Sequence, residues 1–479
     1  MQIYNTLAHK KQQFKSIKKG TVGMYSCGLT VYNYAHIGNT LCYVQTDLIK
    51  RVLMHNGYRV RHIMNITDVG HLVGDANLGE DKIRVTAEHE HKSLHEIAKF
   101  YTDDFLRDMK RLNLLMPELM PKASKHVPEM LGLIQRLDGK GYLYTIKTGV
   151  YFDTSKFQDY GRLMGLSFAE LNKYLIAGMR VERASGLKNN TDFAVWRFST
   201  KDQKEMVWET KYGRGFPGWH IECSAMSMKY LGEHFDLHTG GIDHLPIHHT
   251  NEIAQSESAT GKKFVNFWMH VQHLMVDGKK MSKSLGNVYR LQDLVEKGYS
   301  VNSFKYLVLS SHYRNQMNFT FEALKNAENT LDGIYAFIGK VREVTGSERK
   351  PNGAFIKRAG KIRSEFFEAL DNDINTPLAL SKMHLLISEA NRAYDKMSKA
   401  EADCILDALF DFDSVLGLDF EKQSKRKEVS QEAMALIEKR ERLRKEKRYE
   451  EADKIRKMLK DEYRIEIEDT SRGVSVHRT

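Results

Sequence analysis

Thr21-Val-Gly-Met-Tyr-Ser-Cys27 is a short, largely apolar run of strand character, and from Ala35 to Met54 apolar residues return at helical spacing. Asn56 and Gly57 stop that helix, and Tyr58 to Ile66 again reads as a strand. A strand, a helix and a second strand within seventy residues describe a β-α-β unit, whose two strands run parallel. A nucleotide-binding α/β domain is the expected opening of the chain.

Working outward, the pattern from Leu115 to Trp208 is irregular, with Pro117, Pro121 and Pro128 early and many glycines later, as expected of an inserted lobe. From Gly218 to Val276 the α/β character resumes, with a strand expected over Phe267 to Val276. After Asn302 the spacing is helical almost throughout, broken by the turn-rich stretch Gly346 to Gly353. Leu436, Leu443, Ala452, Ile455 and Leu459 recur at helical intervals among charged residues. Ile465 with Ile467, then Val474 with Val476, alternate like a small hairpin.

With 479 residues the chain should form about three folding units. Hydrophobic residues at 41% and charged residues at 28% exclude a disordered chain and allow buried cores. No apolar stretch approaches the length of a signal peptide or a membrane span, so a cytoplasmic protein is expected. The four cysteines, Cys27, Cys42, Cys223 and Cys404, lie far apart, which suits reduced thiols serving as ligands or nucleophiles better than a disulfide framework. A formal charge of +11 makes a polyanion such as nucleic acid a natural partner, although charge alone does not specify one.

Two stretches carry chemistry. Ala35-His36-Ile37-Gly38-Asn39 falls where a loop after a strand enters a helix. Unpaired N–H groups and a partial positive charge favour phosphate there, Gly38 lets a ligand approach the backbone, and His36 and Asn39 can donate to phosphate oxygens. Alone, such a stretch more often serves as a cap and a turn. Asp277-Gly278 precedes Lys280-Met281-Ser282-Lys283-Ser284-Leu285-Gly286-Asn287, a lysine-bearing loop suited to closing over a triphosphate and neutralising a departing pyrophosphate. A solvated basic turn is the plain alternative.

Together, and in this order, the two stretches resemble the signatures of class I aminoacyl-tRNA synthetases. Tyr25-Ser-Cys-Gly-Leu-Thr-Val-Tyr32, Gly218-Trp-His-Ile-Glu-Cys-Ser-Ala-Met226, Thr239-Gly-Gly-Ile-Asp-His244 and His248-His-Thr-Asn-Glu252 resemble the cysteinyl-tRNA synthetase family more narrowly, and the similarity extends across almost the whole chain. The resemblance implies an α/β fold in which a Rossmann-type parallel-sheet catalytic domain is split into halves at 1–114 and 211–276 by a connective insertion at 115–210. It further implies a signature-loop and stem-contact region at 277–318, an α-helical bundle at 319–425 on the anticodon side, and a small C-terminal α+β anticodon-binding element at 426–479.

The implied reaction activates cysteine with ATP, accompanied by magnesium, and passes the cysteinyl group to the 3′ end of tRNA(Cys). His36, Asn39, Lys280 and Lys283 would stabilise the transition state, with Gly38 joining them around ATP. Cys27, Cys223, His248 and Glu252 would hold one zinc ion. Two thiolates, an imidazole and a carboxylate suit zinc, and the last two, four apart on a helix, would share a face. An open position on zinc accepts a cysteine thiolate far better than a serine hydroxyl, so selection needs no editing site. Gly28, Thr67, Trp219 and Asp243 would contact the substrate cysteine, Asp243 attracting its ammonium group. A monomer without membrane contact is expected.

Three features depart from the family pattern. Asn39 stands where the class signature has His, Thr67-Asp68-Val69 is separated from Asp81-Lys82-Ile83 by a glycine-rich stretch, and the C-terminus lacks a tryptophan. Rival readings are a ligase joining cysteine to an amino sugar in mycothiol synthesis, which would not need the long helical tail, and an inactive RNA-binding paralogue, in which the signatures should have decayed.

Overall fold

The computed structural model describes the chain except residues 70–85, 88, 91, 179–183, 202, 283–284, 346–349, 426–430, 464, 471–472 and 479. The opening Thr21–Ser26 strand pairs in parallel with Arg59–Met64 on one side and with Phe235–Gly241 on the other, and Val265–Val271 extends the sheet beyond Phe235–Gly241. The register sets Ser26 beside Met64 and Thr239. Each parallel pair needs a crossover: the helices Ile37–His55 and Thr250–Thr260 supply those of the two outer pairs, and the chain from Met64 to Phe235, ending in helix Trp219–Leu231, supplies that of the central pair.

Helix Ile37–His55 starts two residues later than its periodicity suggests, because His36 and Asn39 cap it reciprocally. His36 Nδ1 accepts from the Asn39 N–H at 3.2 Å and Asn39 Oδ1 accepts from the His36 N–H at 3.2 Å. Leu41, Val44, Leu48 and Val52 are buried along one helical face.

The first crossover builds the sheet outward in one direction and the second in the other, so the order reverses between Thr21–Ser26 and Phe235–Gly241. Loops leaving the carboxyl ends of two such strands diverge and leave a crevice, where ligands of open α/β sheets bind. Cys27 and Gly241 stand at that edge. Behind it, buried Asp236 accepts from the Ile17 N–H at 2.6 Å and the Gly23 N–H at 2.8 Å. Asp236→Ala leaves both donors without this acceptor and should cost about 1–3 kcal/mol, read as a lower urea midpoint.

Between the sheet halves lie helix Val127–Gly139 and an antiparallel sheet of Leu143–Ile146, Gly149–Phe152, Phe193–Phe198 and Gly215–Pro217. Met130, Ile134 and Leu137 of the helix share one buried core with Phe152, Phe193 and Trp196 of this sheet and with Tyr25, Ile221 and Trp268. The inserted lobe and the parallel sheet thus exclude water from the same apolar surface.

The strand expected over Phe267 to Val276 divides. Val265–Val271 belongs to the parallel sheet, whereas Leu274–Val276 pairs with Lys279–Lys280 and Met317–Phe319. The break falls at Gln272, whose N–H donates to the Tyr313 carbonyl at 2.8 Å. Residues 1–301, 311–320 and 370–375 form one compact unit.

The other unit, residues 302–310, 321–369 and 376–479, is built on helices Phe321–Arg342, Gly353–Asp371, Thr376–Ala393 and Lys399–Leu416. Phe366 stacks on Phe412 at 4.0 Å between ring centres. Helices Gln431–Lys445 and Tyr449–Tyr463 form a hairpin with its own core of Ala433, Ile437, Ala452, Ile455 and Leu459, joined by Ile465 and Ile467. The alternation noted near the C-terminus is an antiparallel pair, Ile465–Thr470 with Gly473–Arg478. None of the described helices is long and apolar enough to cross a membrane.

Candidate active site and metal centre

Four residues from three separate stretches of the sequence meet at the crevice. Cys27 is the first residue past the Thr21–Ser26 strand, and Cys223 lies in helix Trp219–Leu231. His248 lies in the π-helical turn Leu245–His249, which runs into the helix carrying Glu252. Single π turns recur at functional sites because they re-aim side chains within a continuous helix.

The Cys27 and Cys223 sulfurs are 4.0 Å apart, and His248 Nε2 is 3.0 Å from Glu252 Oε1. The four ligand atoms all lie within 4.8 Å of one another. His248 Nε2 and Glu252 Oε1 are close but not aligned as a hydrogen bond, so both are buried without a hydrogen-bond partner. Buried polar atoms left bare are costly. Two of them facing two sulfurs at this spacing fit a zinc ion, which takes such ligands at about 2.0–2.3 Å and can add a further one.

The electrostatics agree with a cation site. Burial raises the Cys27 thiol well above its ordinary range. Burial would raise Cys223 too, but the Cys27 hydrogen bond and His248 bring it down to about 6. Burial likewise opposes the charged forms of Glu252 and His248, yet His238 and His248 hold the carboxyl at about 2, while Cys223 and Glu252 lift His248 to about 10. Without metal, Cys27 keeps its thiol proton and His248 carries an imidazolium proton beside the Cys223 and Glu252 anions; a divalent cation would displace both protons and bind the set.

A chain of hydrogen bonds fixes the near wall. The Gly28 N–H donates to Asn65 Oδ1 at 2.9 Å, Asn65 Nδ2 to Thr67 Oγ1 at 3.0 Å, and the Thr67 hydroxyl to Glu222 Oε2 at 3.1 Å. A Cβ on residue 28 would overlap the Asn65 carbonyl oxygen, so only glycine permits this approach. Trp219 lays its ring 4.3 Å from that of His248. Asp243 is exposed on a short turn after Phe235–Gly241; the surrounding crevice partly desolvates it, but His244 and nearby groups hold its carboxyl below the usual range.

The stretch from Ala35 to Asn39 has a more specific form than the sequence suggested. His36 Nδ1 is spent on the Asn39 N–H, which leaves Nε2 to carry the ring proton in the neutral tautomer, and burial lowers the imidazole pKa in spite of Asp243. Asn39 Oδ1 is engaged in the same cap. Met281 of the lysine-bearing loop reaches over Gly38, its Cε only 2.5 Å from where a Cβ would stand. Asn287 fastens this loop, accepting from the Ser282 N–H at 2.9 Å and donating to the Lys280 carbonyl at 3.3 Å. Lys283 lies outside the described residues, as does the stretch containing Asp81-Lys82-Ile83.

Four histidines around the cluster were not singled out from sequence. His220, His238, His249 and His270 are all buried beside it. His220 and His249 stand inside the quoted strings, but nothing in their spacing separates them from ordinary core histidines.

The tRNA synthetases class I (C) catalytic domain model matches residues 13–329, and the DALR domain model matches residues 365–421. The cysteine–tRNA ligase of Treponema denticola is 41% identical over 484 residues, covering 96% of this chain and 96% of the relative. That of Thermus thermophilus is 40% identical over 482 residues, covering 98% of each. Among solved structures, Mycobacterium tuberculosis methionyl-tRNA synthetase with methionyl-adenylate aligns with a TM-score of 0.60 at 17% identity, covering 83% of this chain and 90% of that one. The Agrobacterium radiobacter leucyl synthetase in its ternary complex gives 0.62 at 11%, covering 87% and 86%. These two similarities speak to fold alone.

Proposed function

The chain belongs to the cysteine–tRNA ligase family of the class I tRNA synthetases, and from that membership we propose how its own residues perform the ATP-dependent joining of cysteine to tRNA(Cys). The observation that carries the reading is the convergence of Cys27, Cys223, His248 and Glu252 at the crevice, with two of their ligand atoms otherwise bare. These four would hold zinc, which supplies a Lewis acid that keeps a substrate thiol in the thiolate form.

Trp219 walls the thiol pocket, and Asp243 attracts the substrate ammonium. Gly28 and Thr67 shape the near side through the Asn65 chain. The substrate carboxylate so placed attacks the α-phosphate of magnesium-bound ATP; a carboxyl-oxygen-to-phosphorus bond forms as the bond to pyrophosphate breaks. No side-chain nucleophile is required, because position and charge neutralisation lower the barrier. The proton on His36 Nε2, the N–H groups opening helix Ile37–His55, and Lys280 with Lys283 would face the phosphates, with Gly38 admitting the nucleotide. Asn39 acts chiefly by holding His36 in its donating tautomer. A ribose hydroxyl of the tRNA 3′ end then takes the cysteinyl group and AMP departs.

The helical unit and the C-terminal hairpin are assigned to the anticodon side, and the molecule to a cytoplasmic monomer. Full-length cover by ligases that act on tRNA disfavours an amino-sugar acceptor. The test is ATP–pyrophosphate exchange with zinc content measured on the same sample, followed by aminoacylation of tRNA(Cys). Exchange should depend on cysteine and not arise with serine or methionine. A folded, zinc-loaded sample without cysteine-dependent exchange would overturn the reading.

A further inference from the structure

Two histidines outside the four ligands press on them from behind. His238, fully buried and stacked on Trp268 at 4.6 Å, places Nε2 3.0 Å from Glu252 Oε2. His220 places Nδ1 3.0 Å from His248 Nδ1; its carbonyl accepts from Gln255 Nε2 at 2.6 Å, and its ring meets Phe193 edge-on at 5.3 Å. In each ligand one atom is therefore taken up, and the other, Glu252 Oε1 or His248 Nε2, is the bare one that faces the sulfurs.

A free carboxylate offers two equivalent oxygens, and an imidazole can turn either nitrogen inward. Outer hydrogen bonds remove that choice and so raise metal affinity. We infer that His238 and His220 are positioning residues that commit Glu252 Oε1 and His248 Nε2 to the metal. This inference rests on the zinc reading above.

Cys27 and Glu252 also converge with His238 and His249, which would make His238 a ligand instead. The hydrogen bonds favour the first set. His238 Nε2 already meets Glu252 Oε2, and His249 is engaged at both nitrogens, by His270 at 2.8 Å and by the Cys27 sulfur at 3.4 Å. His248 Nε2 and Glu252 Oε1 approach one another at 3.0 Å and make no hydrogen bond outside the four ligands.

The test measures zinc affinity by competition with a chromogenic chelator for the full chain, His238→Ala, His238→Gln and His220→Ala, each first shown to be folded by its melting curve at saturating zinc. His238→Ala and His220→Ala should bind zinc about 10–100-fold more weakly. His238→Gln, which keeps an N–H for Glu252, should recover most of the loss. Cobalt-loaded His238→Ala at saturation should keep the wild-type ligand-field and thiolate bands, because its ligand set is unchanged. Alanine variants with wild-type zinc affinity, or a changed cobalt ligand field, would overturn the inference. A wild-type chain that binds no zinc would instead defeat the zinc reading itself.

Discussion

Cys223→Ser is expected to lose most of its zinc and to slow cysteine-dependent ATP–pyrophosphate exchange on the order of 10²–10³-fold, about 3–4 kcal/mol in the barrier. The serine hydroxyl is a harder and far less acidic donor than the thiol it replaces. In the fold Cys223 sits in the middle of its helix, fully buried against Cys27 and His248, so no other thiol can take its place. Discrimination against serine should weaken along with zinc binding. Cys42→Ser and Cys404→Ser serve as controls, since both lie outside the cluster, and should leave metal content unchanged. Wild-type zinc and selectivity in Cys223→Ser would remove it from the ligand set.

Lys283→Ala is expected to lower the rate of adenylate formation by about 10²–10³-fold while leaving cysteine binding nearly unchanged. Its proposed contact strengthens as negative charge moves onto the departing pyrophosphate, so it stabilises the transition state more than the bound substrates. The described part of its loop already lies against the start of helix Ile37–His55, with Met281 over Gly38 and Asn287 holding both the Lys280 carbonyl and the Ser282 N–H. Single-turnover adenylate formation, compared with cysteine binding by the same variant, separates the two quantities. Equal losses in both would contradict the proposed role.

The β-α-β opening was legible because local periodicity reports burial on one face: Ile37–His55 buries Leu41, Val44, Leu48 and Val52 and packs on Arg59–Met64, which pairs with Thr21–Ser26. The end of the Val265–Val271 strand was not. Whether the chain continues past Gln272 depends on Tyr313, Met317 and Phe319, which compete for the following residues, and periodicity carries no information about distant partners. His36 and Asn39 show the same limit. Their placement at a helix start was readable, but not their use of one another as caps, which engages His36 Nδ1 and Asn39 Oδ1.

Cys27 and Cys223 are 196 positions apart, so no spacing rule could pair them. The reversal of strand order brings them together, and family resemblance named them without supplying that geometry. His248 and Glu252, at helical spacing, were readable as sharing a face. The preference for His248 over His249 rests on the turn that sends the first towards Cys223 and Glu252 and the second towards Cys27 and His270.

X-ray absorption at the zinc edge, with and without bound cysteine, tests most directly whether these four residues hold zinc and whether zinc takes the substrate thiol. Two sulfurs at about 2.3 Å with nitrogen and oxygen nearer 2.0–2.1 Å are expected in the free protein, and a third sulfur when cysteine is added. A sulfur count that cysteine leaves unchanged, or a zinc ion bound without sulfur, would contradict it.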